Sequence, residues 1–137
     1  MAEKLFQLEI VTPKKTVFKN QVQSFSAPGV MGGFQVLKSH AAMLSTIQPG
    51  EVKVLDSGGE EWKYATSGGF VEVRDNKVVM LAETAERADE IDVKRAEASR
   101  QRAEKRISEK KIETNIERAR IALHRALNRL KVARKQP

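Results

Sequence analysis

Every glycine and every aromatic residue of this 137-residue chain lies in its first 70 positions: the eight glycines run from Gly29 to Gly69, and Phe70 is the last aromatic. Glycine serves turns and aromatics fill sheet interiors, whereas a segment lacking both suits continuous helix. Charge breaks at nearly the same place. Met1 to Ala85 holds nine Lys/Arg and nine Asp/Glu, and Glu86 to Pro137 holds 16 against nine, so the whole net charge of +7 falls on the second part. These coincident breaks predict two kinds of structure, divided between Ala82 and Asp92: a β unit over 1–85 and a helical unit over 86–137.

The first part reads as short alternating runs between turn residues. Phe6, Leu8 and Ile10 alternate with Gln7 and Glu9 before Pro13, and Val52 and Val54 alternate with Glu51 and Lys53. Trp62, Tyr64 and Thr66 follow the same rule, and Phe70 to Val73 leads through Arg74-Asp75-Asn76-Lys77 into Val78–Leu81. Period-two apolarity with closely spaced turns predicts an antiparallel β-sandwich of about ten strands. Gly58-Gly59 and Asp75-Asn76 supply the positive-φ residues of tight hairpins, and Gly29 to Gly33 reads as a hairpin loop.

Several kinds of chemistry are excluded by composition. With no cysteine there is no disulfide, thiol nucleophile or thiolate metal site. The longest unbroken apolar stretch is Val78–Ala82, far short of a bilayer span. Met1-Ala2-Glu3-Lys4 has no basic region followed by an apolar one, so no secretory leader is expected. The expectation is a soluble intracellular protein, peripheral if it meets a membrane at all. His40 is the lone histidine of the first part and falls in a loop after a strand. No serine sits in a nucleophile elbow and no carboxylate pair has a diagnostic spacing. Binding or scaffolding is expected of this part, and catalysis is not.

From Asp92 the period changes. Ile112, Ile116, Ala119, Leu123, Ala126, Leu130 and Ala133 follow at spacings of 4, 3, 4, 3, 4 and 3, an a/d seam. Val93, Ala96, Ala103 and Ile107 continue it on the preceding segment, with Arg100 interrupting. Asp92 is placed to cap the first helix or to act as its first-turn acid. With Ser108 to Thr114 as the connection, an antiparallel two-helix hairpin is predicted. A seam so rich in alanine buries little area, so the pair is marginal alone and suited to switching. Arg95 and Arg102 stack along one helix and Arg125 and Arg129 along the other. Four guanidinium groups brought together favour a polyanion among them, and arginine forks suit phosphate. Solvated charge on exposed helices is the simpler reading of the same residues.

Taken in order, these features resemble the epsilon subunit of the bacterial F-type ATP synthase over nearly the full chain. The family's Gly-x-Leu-Pro-Gly-His-Ala-Pro-Leu stretch corresponds to Phe34-Gln-Val-Leu-Lys-Ser-His-Ala-Ala-Met-Leu44, in which Lys38-Ser39 replaces Pro-Gly and Ala42 replaces a proline. Pro49-Gly50, Gly68-Gly69-Phe70-Val71-Glu72-Val73 and the run from Ala82 to Ala88 with Ile91-Asp92-x-x-Arg95-Ala96 match in turn.

The resemblance implies a ten-stranded sandwich that binds the gamma subunit and rests on the c-ring, with Met31, Gly33 and His40 at that interface. It also implies a hairpin that inhibits ATP hydrolysis when extended, against acidic surface on the beta subunits, and binds ATP when folded. The implied ATP-binding residues are Glu86, Ile91, Asp92, Arg95, Ala96, Arg102, Arg125 and Arg129. The arginines would meet the triphosphate, the carboxylates the adenine amino group or ribose, and Ile91 with Ala96 the base. ATP would be a regulatory ligand, with or without Mg2+. The subunit would be a non-catalytic monomer of the rotor at the cytoplasmic face of the bacterial membrane. Two other classes fit parts of the sequence: a nucleic-acid-binding protein gripping phosphates with its cationic tail, and a homodimeric coiled coil. Against the first stand the absence of aromatics after Phe70 and the acids interleaved along the tail.

Overall fold

The computed structural model describes residues 4–109 and 115–134. The chain divides into two compact units, Met1–Arg87 and Ala88–Pro137.

Among the described residues, nine strands build the first unit: β1 (Phe6–Val11), β2 (Thr16–Gly29), β3 (Gly32–Val36), β4 (Met43–Ile47), β5 (Gly50–Asp56), β6 (Glu61–Thr66), β7 (Gly69–Arg74), β8 (Lys77–Ala82) and β9 (Ala85–Arg87). Their order is β1-β8-β7-β4-β2-β5-β6-β9, with β3 on β2 and a further β1–β2 pairing. The 14-residue β2 joins the layers: Thr16 to Val22 pair with β1, and Val22 to Ser26 pair with β5 across a register shift between Val22 and Ser24. Such an irregularity lets one strand bend from one layer into the other. One pairing departs from the antiparallel expectation. β1 and β8 run parallel, Leu8 beside Val78 and Ile10 beside Met80. Local alternation is the same for parallel and antiparallel neighbours, so the sequence does not distinguish them.

Alternation decides what is inside. Phe6, Leu8 and Ile10 of β1 are buried, as are Phe25 of β2, Val71 and Val73 of β7, and Met80 of β8. The β7–β8 hairpin turns on Asp75 (φ 52°) and Asn76 (φ 59°), the left-handed pair that matches strand twist. The Asn76 side chain accepts from the Ser39 amide at 2.8 Å and donates to the Leu5 carbonyl at 3.0 Å. It thereby ties the loop before β4 to the start of β1. In the β5–β6 turn Gly59 takes a φ of 87°. There Asp56 Oδ1 accepts from the Gly58 and Glu60 amides at 2.9 and 2.8 Å, and Oδ2 accepts from the Trp62 indole N–H at 2.9 Å. The Trp62 bond foremost, then the Glu60 amide, holds the Asp56 carboxyl below the usual carboxylate range.

The second unit opens with a 3-10 turn, Ala88–Glu90, followed by α1 (Val93–Glu109) and α2 (Ile116–Arg134). Asp92 caps α1: its Oδ1 accepts from the Arg95 amide at 3.0 Å and its carbonyl from the Ala96 amide at 3.0 Å. Asn115 caps α2 in the same way, through the Arg118 and Ala119 amides. Ser108 and Glu109, expected in the connection, belong to α1. Ile112 lies outside the described residues.

The two helices pack on each other along the predicted alanines, with Ala96, Ala103, Ala119, Ala126 and Leu130 buried. Ile107 and Leu123 are half-buried. Val93 leaves the seam: it is 49% exposed at the first turn, whereas Val132, off the a/d lattice, is fully buried. Arg100 does interrupt the seam. It lies half-buried between Glu97 and Glu104, paired with both, the second at 3.7 Å. In this arrangement the seam that a homodimeric coiled coil would use is occupied within the chain.

Candidate functional site

The outer face of the β4–β7–β8–β1 sheet carries side chains that alternation normally reserves for the core. Inward residues of β7 and β8 are Val71, Val73, Val78 and Met80, so Phe70 and Leu81 point outward, directly paired across the two strands and 53% and 55% exposed. Leu44 on β4, 73% exposed, stands one row away, beside Glu72. Farther along the face the rows become charged, with Lys77 on Glu9 at 3.3 Å and Arg74 on Glu72 at 3.5 Å. Beside the apolar rows runs an open groove of about 590 Å³, lined chiefly by Val11, Pro13, Ile47, Phe70 and Leu81. Phe70 and Leu81 are thus an exposed apolar pair on a sheet face, a feature that docking surfaces share.

The sequence signal for that face is the unbroken run Val78–Ala82. In a strand such a run makes both faces apolar, and only one can be the core. The run is too short for a membrane span, and its two-sidedness is what leaves Leu81 outward.

Met31, Gly33 and His40 do not form one cluster. Met31 is nearly fully exposed in the β2–β3 turn, where the neighbouring Val30 amide donates to the Thr46 carbonyl at 3.0 Å and so adjoins the apolar face. Gly33 sits in β3 opposite Pro28. His40 lies beyond the other end of β3, roughly 16 Å of strand away at ~3.3 Å per residue. Its amide donates to the Leu37 carbonyl at 3.2 Å, and its ring nitrogen Nδ1 is 2.7 Å from the Ala41 carbonyl.

Of the eight residues implied for ATP, Glu86 belongs to β9 in the first unit, opposite Ala65, and the other seven belong to the second. Ala96 is fully buried in the seam and Ile91 is 8% exposed. Asp92 is engaged as the α1 cap. The arginines have a common disposition: Arg95, Arg102, Arg125 and Arg129 each stand one residue before a buried seam residue, namely Ala96, Ala103, Ala126 and Leu130.

One residue is a turn of about 100° in a fixed sense, and the two-fold relation of antiparallel helices keeps such positions on one side. All four therefore share a flank. Counted from the connecting end, Arg102 and Arg125 stand about 10 and 14 Å along the pair, and Arg95 and Arg129 about 21 and 20 Å. Each helix thus carries its two arginines at similar distances from the end that the connection joins. Arg95, Arg102 and Arg125 are exposed and Arg129 is half-buried. Arg102 also donates to Ser99 Oγ at 3.1 Å.

The cap gives Asp92 a measurable part in stability. Asp92→Ala is expected to weaken the helical unit by about 1 kcal/mol, and Asp92→Asn, which keeps an acceptor, by much less. Urea unfolding followed by helical circular dichroism separates the two variants. Equal losses in both would remove capping as the reason for the acid.

Comparison with known proteins places this architecture. The family model described as ATP synthase, Delta/Epsilon chain, beta-sandwich domain matches residues 5–88, and the long alpha-helix domain of the same chains matches residues 89–134. The chain belongs to the ATP synthase delta/epsilon chain family. It is 47% identical to the ATP synthase epsilon chain of Desulforamulus reducens over 127 residues, covering 93% of this chain and 96% of that one. It is 42% identical to the epsilon chain of Syntrophomonas wolfei, covering 98% of each. Its fold is similar to that of a chain in the cryo-EM structure of the Euglena gracilis mitochondrial ATP synthase, OSCP/F1/c-ring in rotational state 1. The TM-score is 0.76 at 21% identity, over 90% of this chain and 78% of that chain.

Proposed function

We propose that this chain is the epsilon subunit of a proton-driven ATP synthase, a non-catalytic part of the central stalk that couples the catalytic head to the c-ring. Family membership supports the assignment, and so does the likeness in fold to chains of ATP synthase stalk and c-ring assemblies. The observation that carries the docking role is the outward pair Phe70 and Leu81 with Leu44 beside it. On this reading the apolar face and the adjoining Met31 turn meet stalk partners, the gamma subunit and the c-ring. The His40 loop, at the opposite end of β3, makes a separate contact. No helix among the described residues is long and apolar enough to cross a membrane; attachment to the membrane through the complex is proposed from family membership.

Phe70→Glu tests the docking role. It places a charge at the centre of the face without touching the core, so the melting temperature should hold while affinity for the gamma subunit falls at least about tenfold. Unchanged affinity would remove this face from the interface.

The hairpin is the regulatory part. It is proposed to bind ATP in the folded arrangement through the four-arginine flank, and to inhibit hydrolysis when extended against acidic surface on the beta subunits. Four guanidinium groups on one flank suit a triphosphate, because each fork bonds phosphate oxygens bidentately. Glu86 and Asp92 would take the adenine amino group or ribose and Ile91 with Ala96 the base, while the arginines carry most of the affinity. ATP should raise the melting temperature of the helical transition more than ADP or GTP. Arg95→Ala and Arg129→Ala should each reduce that shift, and calorimetry showing undiminished ATP binding in both would discard the flank.

The nucleic-acid reading finds no support in the family or the fold. Part of the tail's positive charge is already neutralised along the helices, as in Arg100 with Glu97 and Glu104 and Lys105 with Glu109.

A further inference from the structure

Among the described residues, the seam of the hairpin carries one charge on its own lattice. Arg100 takes the a/d place between Ala96 and Ala103, at spacings of four and three. Those two neighbours are buried, and the Arg100 side chain is 33% exposed. Its guanidinium is unevenly satisfied. One terminal nitrogen donates to Glu97 and the other lies 3.7 Å from Glu104. Nε, by contrast, is buried and has no hydrogen-bond partner among the described residues. Both carboxylates stand on α1, three residues before Arg100 and four after it, the spacings that bring side chains together on one helix. The buried seam residues of α2 are Ala119, Ala126 and Leu130, and none of these side chains carries an acceptor.

We propose that Arg100 is a built-in release charge, a side chain that opposes closure of the hairpin and so holds it near balance. The location of its partners carries the idea. An ion pair within one helix survives when two helices part, so Glu97 and Glu104 stay with Arg100 whether the hairpin is open or closed. What closure adds at this position is the withdrawal of Nε from water, with no side chain of the α2 seam to replace the lost hydrogen bond. An unpaired buried donor shifts an equilibrium against burial by roughly five- to a hundredfold. The aliphatic stem packs on the seam with or without the charge at its end. Apolar chains of similar volume in place of buried ion pairs are often neutral or stabilising for this reason. The consequence for the assembled enzyme, that a hairpin biased shut inhibits hydrolysis less, rests on the regulatory reading of the hairpin. The release charge itself does not.

The test uses the full chain without nucleotide or partner subunits. Arg100→Met keeps the stem and a comparable helix propensity and removes the charge, whereas Arg100→Lys keeps a charge in the seam. Arg106→Met removes the same charge from an exposed position of α1. A helix parted from its partner frays, so hydrogen exchange of the α2 amides from Ala119 to Leu130 reports opening. In Arg100→Met these amides should exchange at least about fivefold more slowly, the low end of the range for an unpaired donor. Arg100→Leu, which completes the apolar lattice, should do likewise, while the β1 and β8 amides keep their rates. Arg100→Lys and Arg106→Met should show no slowing. Unchanged or faster exchange in both apolar variants overturns the release charge, because the ion pairs would then favour closure or be indifferent to it. Equal slowing in Arg106→Met overturns it in favour of net charge, and equal slowing in Arg100→Lys in favour of side-chain shape. Slower exchange with hydrolysis still fully inhibited in the assembled enzyme would leave the release charge standing and overturn the regulatory reading instead.

Discussion

Gly69→Ala is expected to cost the sandwich most of its stability. Gly69 opens β7 at φ 155°, and a Cβ there would meet the Leu81 carbonyl oxygen at 2.0 Å and the Ala82 Cα at 2.9 Å. Both are backbone atoms of the neighbouring strand, so no side chain can swing aside to make room. Relief requires β7 and β8 to separate where Gly69 pairs with both Ala82 and Ile47. Strain of this kind belongs to the severe class of single substitutions, above about 4 kcal/mol, against total stabilities of roughly 5–15 kcal/mol. Thermal unfolding should show a midpoint lower by at least about 15 °C, or no folded sandwich. Gly32→Ala is the control, since Gly32 also has positive φ (123°) but nothing lies within 4 Å of its Cβ position. It should lose only about 1–2 kcal/mol of conformational strain. Similar midpoints for the two variants would show that the clash is not the reason for glycine at 69.

Leu130→Ala is expected to melt the hairpin and leave the sandwich standing. Among the described residues, the buried seam positions of α1 and α2 are Ala96, Ala103, Ala119 and Ala126 and one large residue, Leu130. Truncating a buried leucine costs about 2–4 kcal/mol, which a two-helix unit with so small an interior cannot absorb. Far-ultraviolet circular dichroism at 25 °C should lose most of its helical signal. Hydrogen exchange should show α2 amides losing protection by tenfold or more, converted from that cost at 1.4 kcal/mol per decade, while β1, β7 and β8 stay protected. Retained helicity with undiminished α2 protection would mean that the hairpin's stability lies elsewhere. If ATP binds only the folded arrangement, saturating ATP should restore part of the lost helicity.

Much of this architecture is legible in the residues, for reasons that can be named. Alternation at Phe6-Leu8-Ile10 and at Phe70–Val73 marks strands because one face is buried. The a/d spacing from Ile116 to Leu130 marks the second helix because its partner helix occupies that stripe. The Asp92 cap is readable for the same local reason. Asn115 carries the same cap chemistry, but it falls inside the a/d run that begins at Ile112, so periodicity does not mark it as a helix start.

What depends on distant neighbours is not legible. The parallel match of β1 with β8 leaves no mark in either strand. Val132 is buried off the lattice while Val93 is exposed on it, because burial at the helix ends depends on three-dimensional surroundings rather than on period. The separation of Met31 from His40 follows from the direction of β3, which composition does not encode. The candidate arginines were legible as a common face, whereas the burial of Ala96 was legible only as seam and the place of Glu86 in β9 not at all.

The 14-residue strand shared by the two layers has a mechanical consequence. Stacked sheets joined only by loops can slide over each other, since dispersion contacts across the gap have little directional preference. Here a continuous backbone passes from one sheet into the other, hydrogen-bonded on both sides of its bend, so sliding would require ladder bonds to break. Such a body rotates as a piece when pushed from the side. The proposed place in a rotating stalk, with a neighbour gripped on one face, would draw on that resistance to shear.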